Sequence, residues 1–197
     1  YIERCARSLL EQTYSDIEYV FVNDCSPDKS MDILYRVLDD YPERKSKIKI
    51  VNHIQNEGLA VARTTAVQNT TGEYAMHVDS DDYLEVTAVE RVVQKIIEEN
   101  PDVVIFDMNY VHSGHNVKVS SHFYSNKSEY LHKLIRRNSS VCLCGGVYRL
   151  KLYKDNDIRA IPGVNYGEDY VTKPRLIYFA NKVSYLSEAL YNYNRDN

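Results

Sequence analysis

Residues 74–82 read Tyr-Ala-Met-His-Val-Asp-Ser-Asp-Asp, a mostly apolar run with the pattern of a buried strand that ends in three carboxylates within four positions, Asp79, Asp81 and Asp82. Carboxylates packed this closely repel one another, and burial penalises their charged forms further. A cation is therefore expected among them. A hard divalent ion that also holds a phosphate is the economical choice, because Mg2+ takes one or two protein carboxylates and fills its shell with phosphate oxygens and water. The carboxyl end of a strand is also where open α/β sheets bind ligands. The competing reading is a solvated acidic turn that caps the helix expected from Val86.

The flanking pattern favours an α/β sheet. Short apolar runs at 17–22, 48–51 and 103–106 read as strands. Between them, helical spacing recurs in Met31, Leu34, Val37 and Leu38, in Leu59, Ala62, Ala66 and Val67, and over residues 86–99. Strand–helix alternation of this kind implies a parallel sheet built from βαβ units, with the turn-rich loops gathered on one edge. After about residue 107 the rhythm changes. Residues 109–125 are polar and partly alternating, with His112, His115 and His122, as a hairpin would be. Helices are expected over 126–136 and 167–180, and strands over 140–149 and 182–186. Ile2, Ala6, Leu9 and Leu10 already share a helical face at the start, so a further segment is expected upstream.

Composition narrows the class. A net charge of −4 offers no basic field for nucleic acid. No apolar run approaches the ~20 residues of a membrane helix, and no signal peptide is visible. The four cysteines lack the spacing of a zinc site or a disulfide framework, which suits a reducing compartment. Cys142 and Cys144 alternate with Val141 and Leu143 and read as small buried strand residues.

Four motifs then occur in order: Asn23-Asp24-Cys25-Ser26-Pro27-Asp28, Asn56-Glu57-Gly58-Leu59-Ala60-Val61-Ala62-Arg63, Asp79-Ser80-Asp81-Asp82 and Gly167-Glu168-Asp169-Tyr170. The series, with an opening helix from Tyr1 to Tyr14, resembles the inverting glycosyltransferases of family 2 over residues 1–195. The resemblance implies an α/β fold of GT-A (Rossmann-like) type, a three-layer sandwich with a mostly parallel central sheet and a smaller acceptor-side region. Residues 1–107 would form the nucleotide-sugar-binding half and 108–197 the acceptor-binding and catalytic-base half. The strand with which that family opens, and the helices with which relatives continue, are expected outside these 197 residues.

By the same resemblance Asp24 reads the uracil of a UDP-sugar, since a carboxylate accepts the imide N–H; a helix-capping turn is the plainer alternative. Arg63 meets the nucleotide or braces the acidic cluster, or it simply pairs with a carboxylate to hold the sheet edge. Asp79 approaches the ribose, and Asp81 coordinates Mn2+ or Mg2+ on the diphosphate. Asp82 supports that site or caps a helix. Asp169 is the base that deprotonates the acceptor hydroxyl, with Glu168 its neighbouring rival and acidic helix capping the alternative for both. Side chains on adjacent helical residues diverge, so one of the pair is expected to face the site. The three histidines, which lack an accompanying cysteine, read as surface residues before metal ligands.

Two other enzyme classes fit less well. A haloacid-dehalogenase-like phosphatase wants Gly, Thr or Val after its second Asp, where this chain has Asp82-Tyr83. A sugar nucleotidyltransferase shares the nucleotide-binding architecture but carries a Gly-rich loop with Arg and Lys after its first strand, a region expected upstream of these residues. A non-catalytic sugar-nucleotide-binding or scaffolding domain on the same fold is the rival from another class. The expected function is transfer of a sugar from a UDP-sugar to a hydroxyl of a polysaccharide or lipid-linked glycan. The expected location is cytoplasmic, with peripheral association at the inner membrane face allowed.

Overall fold

Ile2, Ala6 and Leu10 line one face of α1 (Ile2–Leu10), and the helix buries Cys5, Ala6 and Leu10. It opens a computed structural model that describes residues 1–113, 115–121, 126–159, 161, 163–164 and 166–196. The β-branched run that follows forms β1 (Tyr19–Asn23), which pairs in parallel with β2 (Ile48–Asn52) around the crossover helix α2 (Ser30–Asp39). Leu34 and Val37 of α2 join Ala6, Leu10 and Tyr19 in one apolar cluster. This small parallel sheet is the βαβ unit that the sequence pattern predicts.

Next come α3 (Leu59–Gln68), β3 (Tyr74–Met76), β4 (Tyr83–Leu84) and α4 (Ala88–Glu99). Asn100 closes α4 in the left-handed region at φ +48°, a conformation Asn tolerates. Then β5 (Val103–His112) turns into β6 (His115–Val119), so the polar histidine run is a hairpin as expected. His112 and His115 face each other across it, their rings stacked 5.2 Å apart; His122 lies outside the described residues. The chain continues through α5 (Lys127–Ile135), β7 (Gly146–Arg149), α6 (Leu150–Asp155), α7 (Glu168–Phe179) and β8 (Val183–Asn194).

β5 explains how the second sheet is buried. Val103 and Ile105 face one apolar cluster with Tyr130 and Leu134 of α5 and Leu176 and Ile177 of α7. Val104, Phe106 and Met108 face another with Ala88 and Val92 of α4. Alternate side chains of a strand point to opposite faces, so a strand covered on both sides reads as an unbroken apolar run.

Strand order in this sheet is β3-β7-β5-β8-β4, with β6 also on β5. The layered α/β class is as expected, but the sheet is mixed where a mostly parallel one was anticipated. Only β1–β2 and β5–β8 run parallel among the described pairings; β7 inserts antiparallel between β3 and β5, and β4 pairs antiparallel with β8. The cysteine segment is also corrected. Cys142 precedes a 3-10 turn over Leu143–Gly145 that contains Cys144, and the strand begins only at Gly146.

Candidate active site

The parallel register sets the first part of the site. Asn23 lies opposite Asn52, their side chains bonded at 3.0 Å, and the His53 amide donates to the Asn23 carbonyl at 2.9 Å. Asp24 therefore emerges beside His53. Its carboxylate accepts the backbone N–H groups of Glu57 and Gly58, both at 2.8 Å, and lies 2.7 Å from His53 Nδ1. The Asn56 side chain donates to the Asp24 carbonyl at 3.0 Å. Gly58 caps α3 at φ +88°, a backbone that side chains disfavour, and this turn aims the two amides at Asp24. Burial works against the Asp24 charge, but the Glu57 amide, His53 and the Gly58 amide outweigh it and hold the carboxyl below its ordinary value.

One helical turn into α3, Arg63 gathers carboxylates from two distant parts of the chain. Its Nη2 donates to both oxygens of Asp79 at 3.0 Å. Its Nη1 donates to Glu168 at 2.9 Å and to Asp169 at 2.5 Å. The Arg63 side chain is 10% exposed, and its Nε has no hydrogen-bond partner among the described residues. Burial alone would lower its pKa, yet Asp79 and Asp169 more than reverse this. For Asp169, 19% exposed, burial prevails instead and raises its carboxyl above the ordinary value despite Arg63. Gly167, at φ +88°, turns the chain into α7 so that Glu168 and Asp169 sit in its first turn, where the helix dipole favours negative charge. Both reach the same guanidinium nitrogen, which corrects the expectation that only one of them faces the site.

The third acidic residue of the cluster is structural. Asp82 is buried; it accepts the Tyr191 hydroxyl at 2.6 Å and the Asn194 amide at 2.7 Å, tying the loop to β8. Burial pushes its carboxyl up to about 6 against those two bonds. Tyr191 also accepts the Asp79 amide at 3.1 Å. Asp81 precedes Asp82 in the loop, and its carbonyl accepts from Arg4 at 3.2 Å, with Arg4 stacked 4.3 Å over the Tyr83 ring.

No three His, Cys, Asp or Glu side chains among the described residues are grouped to hold a metal. Asp79 is committed to Arg63 and Asp82 to β8. So open a donor set fits an ion carried largely by phosphate oxygens and water with one protein carboxylate, not a closed protein cage.

Of the residues singled out from sequence, Arg63, Asp79 and Asp169 form one ion-pair group. Asp24 sits on the N-terminal capping turn of α3, the helix that carries Arg63, and Asp81 lies in the loop after β3. Sequence reasoning passed over His53 and His77. His77 is buried, with Nε2 3.0 Å from the Tyr153 hydroxyl, and burial followed by the Arg63 charge pushes its pKa down to about 4. The available signal was a histidine inside an otherwise apolar strand.

Residues 1–156 match the family described as glycosyl transferase family 2. Glycosyltransferase GlyA of Streptococcus pneumoniae serotype 4 is 29% identical over 98% of this chain and 28% of its own length. The poly(ribitol-phosphate) beta-N-acetylglucosaminyltransferase TarS of Staphylococcus aureus is 27% identical over 98% of this chain and 33% of its own. The crystal structure of TarS 1-349 in complex with UDP-GlcNAc superposes with a TM-score of 0.86 at 26% identity, covering 100% of this chain and 55% of that one. The chain thus spans less than two thirds of each of these relatives. With a family match over most of its length and a GT-A neighbour along all of it, the chain belongs to glycosyl transferase family 2.

Proposed function

We propose that this chain is the donor-binding and catalytic part of an inverting glycosyltransferase that moves a sugar from a UDP-sugar to a hydroxyl of a glycan or lipid-linked acceptor. The observation that carries the reading is Arg63, which holds Asp79 from one half of the sequence against Asp169 from the other. The TarS complex with UDP-GlcNAc supports a nucleotide-sugar donor, and the polymer in that enzyme's name supports a glycopolymer acceptor.

In this reading residues 1–107 bind the nucleotide sugar and 108–197 supply the acceptor side and the base. Asp24 accepts the imide N–H of uracil through its remaining lone pair. Asp79, anchored by Arg63, faces the ribose. Asp81 is the carboxylate offered to Mn2+ or Mg2+, which when bound neutralises charge on the departing diphosphate. Asp169 removes the acceptor's hydroxyl proton as that oxygen attacks the anomeric carbon and the bond to UDP breaks on the opposite face. No covalent enzyme intermediate is needed. Its raised pKa makes Asp169 a stronger base than an ordinary aspartate. Among the described residues no helix is long and apolar enough to cross a membrane; work on a lipid-linked acceptor would proceed from the cytoplasmic face.

The test is a thermal-shift screen of the full-length protein against nucleoside diphosphates, with and without Mn2+. A ligand at ~100 times its Kd stabilises by roughly 2.7 kcal/mol, which raises Tm by about 5–10 °C for a domain of this size. A Mn2+-dependent shift with UDP, together with UDP release from a UDP-sugar, is expected. UDP binding without release from any UDP-sugar would favour the non-catalytic reading.

A further inference from the structure

We infer that His53 is a positioning residue for the donor site: it fixes Asp24 as an anionic acceptor turned toward the nucleobase, and thereby sets discrimination between UDP and CDP. The inference rests on the reading of Asp24 as the uracil contact.

The register of β1 and β2 places His53 beside Asp24, and the imidazole is 10% exposed. A carboxylate only accepts, so the Nδ1 that lies 2.7 Å from Asp24 Oδ1 carries the hydrogen. The other ring nitrogen, Nε2, lies 2.9 Å from the Thr65 hydroxyl on α3. The ring is held at both ends, one end on the strand edge and the other on the helix that carries Arg63.

The lone pairs of Asp24 make this arrangement selective. An ionised carboxylate offers about four acceptor directions. His53 and the Glu57 amide take Oδ1, and the Gly58 amide takes one direction of Oδ2. Among the described residues one direction on Oδ2 remains. Uracil presents N3–H, a donor that a carboxylate accepts. Cytosine presents a bare N3 lone pair, which an anionic, fully oriented carboxylate repels. Without His53, Oδ1 loses its charge-assisting donor, and the carboxyl is easier to turn or protonate. A protonated Asp24 donates to cytosine, so the penalty on CDP falls.

The experiment is competition binding of UDP and CDP in the presence of Mn2+, using full-length protein and the variants Asp24→Asn, His53→Ala, His53→Asn and Thr65→Val. His53→Ala is expected to reduce the UDP/CDP affinity ratio at least about tenfold, the size of one charge-assisted hydrogen bond. His53→Asn, whose side-chain amide replaces Nδ1–H, should recover most of the ratio. Thr65→Val should lower it part of the way. A general loosening of the fold would weaken both nucleotides together and leave the ratio unchanged. A folded His53→Ala protein with the wild-type ratio overturns the inference; if that variant does not fold, an unchanged ratio in Thr65→Val overturns it. If Asp24→Asn also keeps the ratio, the uracil reading itself fails. Loss of the ratio in Asp24→Asn with its retention in the His53 and Thr65 variants removes His53 alone.

Discussion

Arg63 Nη2 donates to both carboxylate oxygens of Asp79 at 3.0 Å. Its other amino group is already shared between Glu168 and Asp169, so three carboxylates depend on one buried cation. Removing one partner of a buried ion pair leaves uncompensated charge and costs about 3–5 kcal/mol. Arg63→Ala is expected to fall in that range by urea denaturation. Arg63→Lys keeps the charge but not the planar fork that reaches both sides. It should lose less stability and still lose most activity, which separates charge balance from geometry.

Asp169→Asn tests the base. The amide keeps the shape, so Mn2+–UDP affinity should stay close to wild type by calorimetry, while transfer falls by roughly 10²–10⁴-fold. Equal turnover would assign the role to Glu168, the other carboxylate on Arg63 Nη1. The pH profile adds a sign. The base must be ionised, and burial has raised its pKa. Transfer should therefore decline on acidification at a higher pH than an ordinary aspartate would give. In Arg63→Lys, with the fork no longer on Asp169, that acid limb should move further toward neutrality.

These residues were legible in sequence because each lies in a local pattern: an apolar strand that ends in carboxylates, or a glycine that turns the chain into a helix. What was not legible depends on distant partners. β8 reads as a short strand because polar residues interrupt it, yet Ser184 bonds Glu99 at 2.6 Å and Asn192 bonds Glu85 at 2.9 Å, so the strand continues to Asn194. The antiparallel place of β7 depends on how closely Gly146 packs. A Cβ there would lie 2.9 Å from the Tyr148 hydroxyl and 3.0 Å from Ile105 Cδ1. His53 gave no periodic signal at all. Its role appears only once the β1–β2 register puts it beside Asp24.

Asp81 and Asp82 should separate cleanly. Asp81→Ala is expected to leave the fold intact and abolish the Mn2+-dependent part of the UDP thermal shift; unchanged Mn2+–UDP affinity would remove it from the metal site. Asp82→Ala instead strands the buried Asn194 amide and the Tyr191 hydroxyl. Leaving a buried polar group unsatisfied costs about 1–3 kcal/mol, so this variant should lose stability before any ligand is added. Denaturation of the two unliganded variants, set beside their Mn2+–UDP titrations, distinguishes the roles.

His77 predicts an acid-sensitive core. Burial, with Arg63 nearby, lowers its pKa from 6.5 to about 4, so the folded protein resists a proton that the unfolded chain accepts. Stability from this site is complete above pH 6.5 and declines as pH falls from there toward 4, because the unfolded state then binds more protons. At 1.36 kcal/mol per pKa unit the loss is about 3 kcal/mol. His77→Gln cannot titrate and keeps a donor for Tyr153. Between pH 6.5 and 4 its urea midpoint should decline less steeply than that of wild type, even if the variant is less stable at neutral pH. Parallel declines would show that the acid sensitivity comes from other groups and that His77 is not held neutral by the fold.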